Sequence, residues 1–201
     1  MKKIISMLLT LVLAVAAVNL LQTEHTLETI ENSVIRLHIL ANSDTLEDQT
    51  KKLLVRDAVL QNAESWLSGC DTNEERCAAI RQKLPEIAQK AEQTLRDEGC
   101  TDPVSVTFGE TAFPQRSYGD VTLPAGNYQS LNISIGAAEG QNWWCVMFPA
   151  LCIPAAVSQP DELPADAQRM TAAPEQYEIR LKTVDICRSI FRRLKKWFAS
   201  R

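Results

Sequence analysis

The hydrophobic pattern begins with one long apolar run at the N-terminus. Two lysines precede a mostly apolar stretch that reaches Val18 and ends in small residues. A short basic region, an apolar core and a small-x-small end are typical of a secretory signal. We therefore expect residues 1–17 to be a signal peptide cut after Ala16 or Ala17, with an uncleaved membrane anchor as the alternative. Residues 18–32 are mostly polar and predict a tether.

The stretch after this tether shows the period of two that is typical of a strand. Ile35, Leu37 and Ile39 share one face, whereas Arg36 and His38 share the other. This alternation predicts a half-buried strand with one apolar face and one polar face.

A helix is predicted next. The turn at residues 42–44 breaks the strand, and Asp44 followed by Glu47 resembles a capping box, so we expect the helix to start there. Its predicted core stripe consists of Leu46, Leu53, Leu60 and Leu67, widened by Val59, Ala63 and Trp66.

A second helical run follows residues 71–74, which repeat the start pattern, and Gly99 is its expected end. Apolar residues recur along it at spacings of three and four, as they do on the buried face of a helix. Because Pro85 lies inside this run and cannot donate a helical hydrogen bond, we expect a kink or two shorter helices.

Strand periodicity returns in the second half of the chain. Residues 104–108 and 128–135 alternate, and residues 143–148 form a further strand candidate. One strand, two to three helices and then an antiparallel, strand-rich half predict a single α+β domain over residues 33–152.

The C-terminal part has a different composition. Prolines among small and polar residues over 153–177 predict a linker. Residues 178–201 combine apolar and basic side chains and predict a basic amphipathic helix. This helix would either lie on an anionic membrane surface or dock on the rest of the protein, and both interpretations stay open.

Charge and composition narrow the function classes. The formal net charge is −4, and such a charge does not favour binding to the negatively charged phosphates of nucleic acids. With two histidines and no Cys-x-x-Cys pair, the sequence predicts neither a metal site nor a cofactor. Six cysteines in an exported chain permit disulfides, but the number of cysteines does not choose their pairing.

Three constellations could carry catalysis. His38 with Ser43 and Asp44 would suit a hydrolase, although Ser43 and Asp44 are also what a helix N-cap requires. Cys145 could be a nucleophile beside His38, but a disulfide with Cys152 around the intervening turn is the interpretation we favour. The third set is a carboxylate pair of the glycosidase kind among Asp102, Glu110 and Asp120, and no spacing singles out two of them.

Two adjacent tryptophans stand out as a candidate contact. Neighbouring side chains on a strand face opposite ways, so one of Trp143 and Trp144 can be core while the other is directed outward. Exposed tryptophan is a common interface anchor. The alternative is that neighbouring loops bury both.

Two blocks of the chain resemble the stage II sporulation protein R family of endospore-forming bacteria. Together they span about residues 34–152. The residues that carry the resemblance are Arg36–Asp44, Glu47–Gln49, Val55–Val59, Phe113-Pro114, Tyr118-Gly119, Leu123–Tyr128 and Asn142–Cys152.

The resemblance implies a signal between two cells rather than an enzyme. Such proteins are exported from the forespore into the intermembrane space and trigger a membrane-embedded aspartic protease in the mother cell. That protease then removes the pro-sequence of sigma E. Cys145 and Cys152 match the family motif, whereas the pairing of Cys70, Cys77, Cys100 and Cys187 stays open.

We hypothesise that a polar surface of the domain contacts the protease, with an exported hydrolase acting on cell wall or peptide as the alternative function. The predicted contact residues are Arg36, His38, Asn42, Ser43, Asp44, Trp143 and Trp144.

Overall fold

The computed structural model describes residues 2–118 and 121–150. These residues fall into two compact units: residues 31–114 and 125–150 form one, and residues 2–30 and 115–124 belong to the other. The predicted linker at 153–177 and the predicted amphipathic helix at 178–201 lie outside the described residues.

The described elements are three helices and six strands. In chain order they are α1 (Lys2–Ser33), β1 (Ile35–Leu40), α2 (Leu46–Leu67), α3 (Asn73–Asp97), β2 (Val104–Phe113), β3 (Arg116–Tyr118), β4 (Val121–Leu123), β5 (Gly126–Ile135) and β6 (Asn142–Phe148).

Helix α1 runs without interruption through the predicted signal peptide and the predicted tether. In its second half, threonine hydroxyls bond to carbonyl oxygens four residues earlier, as Thr26 does to Gln22 at 2.9 Å. Leu27 and Ile30 are buried, so this half has an apolar side as well as a polar one. Among the described helices, none is long and apolar enough to cross a membrane.

The larger unit is built on a four-stranded sheet with strand order β2-β5-β1-β6. Strand β1 is parallel to β5 and antiparallel to β6, and β2 is antiparallel to β5. The predicted α+β class is therefore confirmed, although the strand-rich half is not wholly antiparallel. The parallel pair arises because α2 and α3 lie between β1 and β5 in the chain and permit a crossover.

Helices α2 and α3 supply the apolar residues that pack with one face of this sheet. Ile35, Leu37 and Ile39 are fully buried in that core, as their alternation predicted. Against them pack Val55, Val59, Ala63 and Trp66 of α2 together with Ile80, Ile87, Ala91 and Leu95 of α3.

The predicted core stripe of α2 is confirmed in part. Leu46 is 85% exposed, whereas Leu60 and Leu67 pack against the core and the widening residues of the stripe are buried in it. The fully buried positions recur at spacings of three and four, because a repeat of seven drifts by about 20° per repeat around a straight helix. The first member, Leu46, is also the first residue of the helix.

Both helix starts differ slightly from expectation. Thr45, not Asp44, caps α2 through its hydroxyl, which accepts from the backbone N–H of Asp48. Thr72 and Glu75 form the capping box of α3. Pro85 does not divide α3. Both Pro85 and Arg81, whose carbonyl lacks the helical hydrogen bond that a residue four places later would donate, are exposed.

Candidate interaction site

The side of the sheet opposite the helices carries a cluster that we call the aromatic face. By alternation, the even-numbered residues of β1 point to this side. Strands β1, β2, β5 and β6 each contribute to it. Its members are Arg36, His38, Phe113, Tyr128 and Trp144.

Arg36 is completely buried, with an exposed fraction of 0%. Its Nε donates to the carbonyl oxygen of Cys145 at 3.1 Å. The guanidinium carbon lies 4.3 Å from the ring centroid of Phe113 and 5.0 Å from that of Tyr128. Cation–π contacts and a hydrogen bond make burial of a guanidinium tolerable.

The expectation that Arg36 lies on an accessible polar face is therefore wrong. The strand alternates correctly, but the rings of Phe113 and Tyr128 lie beside the charge. Arg36 cannot touch a partner in this structure. Its contacts instead hold the two rings in place behind the surface.

His38 is half-buried and lies flat against Trp144. The two rings are stacked, with centroids 4.1 Å apart and an interplanar angle of 10°. His38 Nε2 lies 2.6 Å from Oδ1 of Asn142. Phe113 meets Trp144 edge-on at 4.8 Å. The imidazole is thus fixed by a ring on one side and by a hydrogen bond at its edge.

Trp143 and Trp144 point to opposite sides of β6, as predicted. Trp143 packs against the hydrophobic core, and the guanidinium carbon of Arg56 lies 4.6 Å from its ring centroid. Both tryptophans are partly buried, so neither is purely core and neither is fully exposed. Trp144 is the one that belongs to the aromatic face.

The turn after β1 is joined to the loop between β5 and β6 by hydrogen bonds. Asn42 Oδ1 accepts from the backbone N–H of Ala137 at 2.9 Å, and Asp44 Oδ1 accepts from that of Gln141 at 2.7 Å. The backbone N–H of Gly140 donates to the carbonyl of Ala41 at 3.0 Å. We call residues 41–45 together with loop 136–141 the loop lock.

Asp48 anchors the loop lock from the first turn of α2. Its Oδ2 accepts from Ser43 Oγ at 2.5 Å and from Asn42 Nδ2 at 3.0 Å. These two hydrogen bonds hold the pKa of the Asp48 carboxyl below its ordinary value, since they stabilise the charged form. Asn42, Ser43 and Asp44 therefore each bond to another part of the protein through their side chains, although Asp44 is exposed and the other two are half-buried.

Glycine is required where the loop lock is tightest. A Cβ on Gly140 would lie within 3 Å of the backbone carbonyl of Ser43. Gly136 has a φ of 58°, a left-handed conformation that L side chains rarely adopt. The two glycines let loop 136–141 pass against the turn.

The proposed catalytic sets are not assembled among the described residues. His38 bonds to Asn142, whereas Ser43 bonds to Asp48, so these side chains do not form a triad. Cys145 lies in the hydrophobic core, on the other side of the sheet from His38. Of the three carboxylates, Glu110 is exposed, Asp102 accepts from Cys100 Sγ at 3.3 Å, and Asp120 is outside the described residues.

The comparison with known families agrees with the two blocks found in the sequence. The family model for stage II sporulation protein R matches residues 31–158. The chain belongs to this family. The match includes the whole described part of the sheet unit, and with it the aromatic face and the loop lock.

A relative supports the same assignment. Over 123 residues the chain is 44% identical to Stage II sporulation protein R of Bacillus subtilis (strain 168). The aligned part is 61% of this chain and 55% of that relative, so the chain spans about half the length of the relative it matches. No solved structure matches the chain.

The cysteines divide into two groups. Cys70, Cys77 and Cys100 are free thiols, and burial raises the pKa of the Cys77 thiol. Cys145 is buried, whereas Cys152 and Cys187 lie outside the described residues. The Cys145–Cys152 disulfide therefore stays a prediction, within the part of the chain that the stage II sporulation protein R family model matches.

Some residues of the site were missed by the sequence reasoning. Phe113 and Tyr128 complete the aromatic face but lie far from Arg36 in sequence, so only the strand pairing brings them together. Lys52 is 4% exposed and donates to the carbonyl of Gln141 at 2.9 Å, which ties α2 to the loop lock. Its position on the same helical side as Val55 and Val59 was the available indication.

Proposed function

We propose that this chain is an exported sporulation signalling protein that activates the membrane-embedded protease processing pro-sigma E in the mother cell. The observation that carries the proposal is membership of the stage II sporulation protein R family over residues 31–158. The protein would act by binding, without catalysing a reaction itself.

We infer that the accessible part of the aromatic face contacts the protease. Trp144 and His38 form a stacked pair whose orientation is already fixed, and Asn142 beside them is exposed. A preorganised aromatic surface loses little conformational freedom on binding. Tryptophan with a polar neighbour is also a common anchor in interfaces. Arg36 supports this surface from behind through Phe113, which touches Trp144.

The first experiment is a replacement test. A Bacillus subtilis strain that lacks its own stage II sporulation protein R would express this chain in the forespore, and conversion of pro-sigma E would be followed by immunoblot. We expect processing to be restored. Accumulated and exported protein with no processing would contradict the proposal, as would release of cell-wall fragments by the purified chain that is lost on His38→Ala.

The second experiment tests the contact surface. Trp144→Ala removes the ring that stacks on His38, and we expect processing to fall at least about tenfold, the loss typical of an interface anchor. Gln61→Ala, at an exposed position of α2, is the control and should leave processing unchanged. Folding of both variants would be checked by circular dichroism. A well-folded Trp144→Ala protein with full activity would remove the aromatic face from the proposal.

The N-terminal segment is proposed as the export signal. The two lysines followed by an apolar run support this assignment, and residues 1–17 would be removed on the outer side of the membrane. Mass spectrometry of the exported protein decides whether cleavage occurs. A mature N-terminus at Ala17 or Val18 is expected, whereas an intact N-terminus would indicate a tethered signal.

A further inference from the structure

Strand β2 forms one edge of the four-stranded sheet and is ten residues long. It pairs with β5 along its whole length without a register shift. Ser105, Thr107, Glu110 and Ala112 are exposed, which indicates that the strand is open to solvent. A long, regular edge of this kind is a template for pairing with another strand.

One hydrogen bond shows which backbone groups point outward. The carbonyl of Pro103 accepts from the N–H of Gly136 at 2.9 Å, and the register places these two residues opposite each other. Because backbone groups of successive residues face alternate sides, the odd-numbered residues of β2 face β5. The even-numbered residues therefore direct their N–H and C=O groups away from the sheet. None of these groups has a hydrogen bond in the described part of the chain.

Most of the usual protections of an edge strand are absent from β2. Residues 104–113 contain no proline and no lysine, and the pairing with β5 shows no bulge. Edges without such devices associate readily. Glu110 is the single charged residue of the strand.

We propose that β2 pairs with β2 of a second copy of this chain, antiparallel about a two-fold axis at Gly109. This register sets Val106 opposite Ala112 of the second copy and Phe108 opposite Glu110 of the second copy. Both pairs join outward-facing residues, so each exchanges two backbone hydrogen bonds. On the other side of the sheet Thr107 meets Thr111 of the second copy, which is a favourable cross-strand pair.

Charge complementarity selects this register. The Arg81 guanidinium carbon lies 5.1 Å from the ring centroid of Phe108, so Glu110 of the second copy would arrive beside it. Neither Arg81 nor Glu110 makes an ion pair within the residues that the structure describes. Centring the pairing on Glu110 would oppose two like charges, and centring it on Phe108 would set Glu110 against Val106. Because the contact is two-fold symmetric, the pair between Arg81 of one copy and Glu110 of the other forms twice.

A photo-cross-linking residue at Thr107 tests the contact in the full chain. Its side chain is exposed in the monomer and would face Thr111 of the second copy. Irradiation should yield a band at twice the mass of the chain. The same probe at Gln61, on α2, is the control and should yield no such band. Absence of the dimer band at Thr107, or a band formed only with another protein, would overturn the proposal.

A charge exchange tests the register. Glu110→Arg and Arg81→Glu should each weaken self-association of the full chain by about tenfold or more, because each sets like charges together. The double exchange should restore it. Glu64→Arg, at an exposed position of α2, is the control and should have no effect. Sedimentation velocity measures the dimer fraction, and equal dimer fractions in all four variants would overturn the register. This inference does not depend on the protease proposal, since it concerns self-association alone.

Discussion

Replacement of Asn42 by alanine tests whether the turn after β1 is structural. The substitution removes one neutral hydrogen bond, from the N–H of Ala137, and one to the Asp48 carboxylate. A neutral bond contributes about 1 kcal/mol and a bond to a charged group about 1.5–3 kcal/mol. Because water can partly replace both partners, we expect Asn42→Ala to lower the free energy of unfolding by about 2 kcal/mol.

Two measurements separate this effect from a general loss of stability. Urea unfolding followed by tryptophan fluorescence should show a lower midpoint with an unchanged slope. Amide hydrogen exchange should accelerate most in loop 136–141. Asn62→Ala is the matched control, because Asn62 donates only to the carbonyl of Ala58 on its own helix and alanine is a better helix former. Its unfolding free energy should stay within about 0.5 kcal/mol of the wild type.

A stable Asn42→Ala variant would contradict a structural role for the turn after β1. If Asn42→Ala unfolds like the wild type and loop 136–141 exchanges at the same rate, the loop lock does not stabilise this region. If pro-sigma E processing is lost in that same variant, the turn at residues 42–44 is a contact surface, as the sequence alone suggested.

Three further predictions concern the same region. Lys52→Met should lower the free energy of unfolding by about 1–3 kcal/mol, because the Gln141 carbonyl loses a buried donor; the urea midpoint measures this. Gly140→Ala should lower the melting temperature by an amount equivalent to about 1–3 kcal/mol, since its Cβ would overlap the Ser43 backbone, and an unchanged melting temperature would contradict the clash. Asp48 has a folded pKa below its unfolded pKa, so its stabilisation is present above the unfolded value and is lost as pH falls through the folded one. The stability difference between the wild type and Asp48→Asn should therefore shrink below about pH 4, and a constant difference from pH 7 to pH 2 would show that the charge of Asp48 is not involved.

Local patterns predicted the features that depend on one element. The alternation of Ile35, Leu37 and Ile39 correctly placed one face of β1 in the core. The opposite directions of Trp143 and Trp144 follow from strand geometry alone. Gly99 has a φ of 70° just after α3, as expected of a glycine that ends a helix.

Features that depend on pairing between distant segments were not predictable. Arg36 is polar and lies on the non-core face of its strand, so the sequence favours exposure. Its burial requires Phe113 and Tyr128, which the sheet register brings over the charge from β2 and β5. The aromatic face therefore depends on the pairing of four strands, which local sequence patterns do not predict.

The residue that caps α2 was also not predictable from the sequence. Asp44 and Thr45 are both good N-cap residues, and local chemistry does not separate them. The choice is made by loop 136–141, because the N–H of Gln141 engages the Asp44 carboxylate and leaves Thr45 to cap the helix. A residue predicted to start a helix therefore joins two distant loops.

The central claim is that the exported chain activates the protease by contact. The most direct measurement is the processed fraction of pro-sigma E in a non-sporulating bacterium that produces pro-sigma E, the membrane-embedded protease and this chain. We predict processing when the whole chain is present, and little processing when residues 2–17 are deleted or Trp144 is replaced by alanine. Equal processing with and without the chain, or none with the chain correctly exported, would contradict the account.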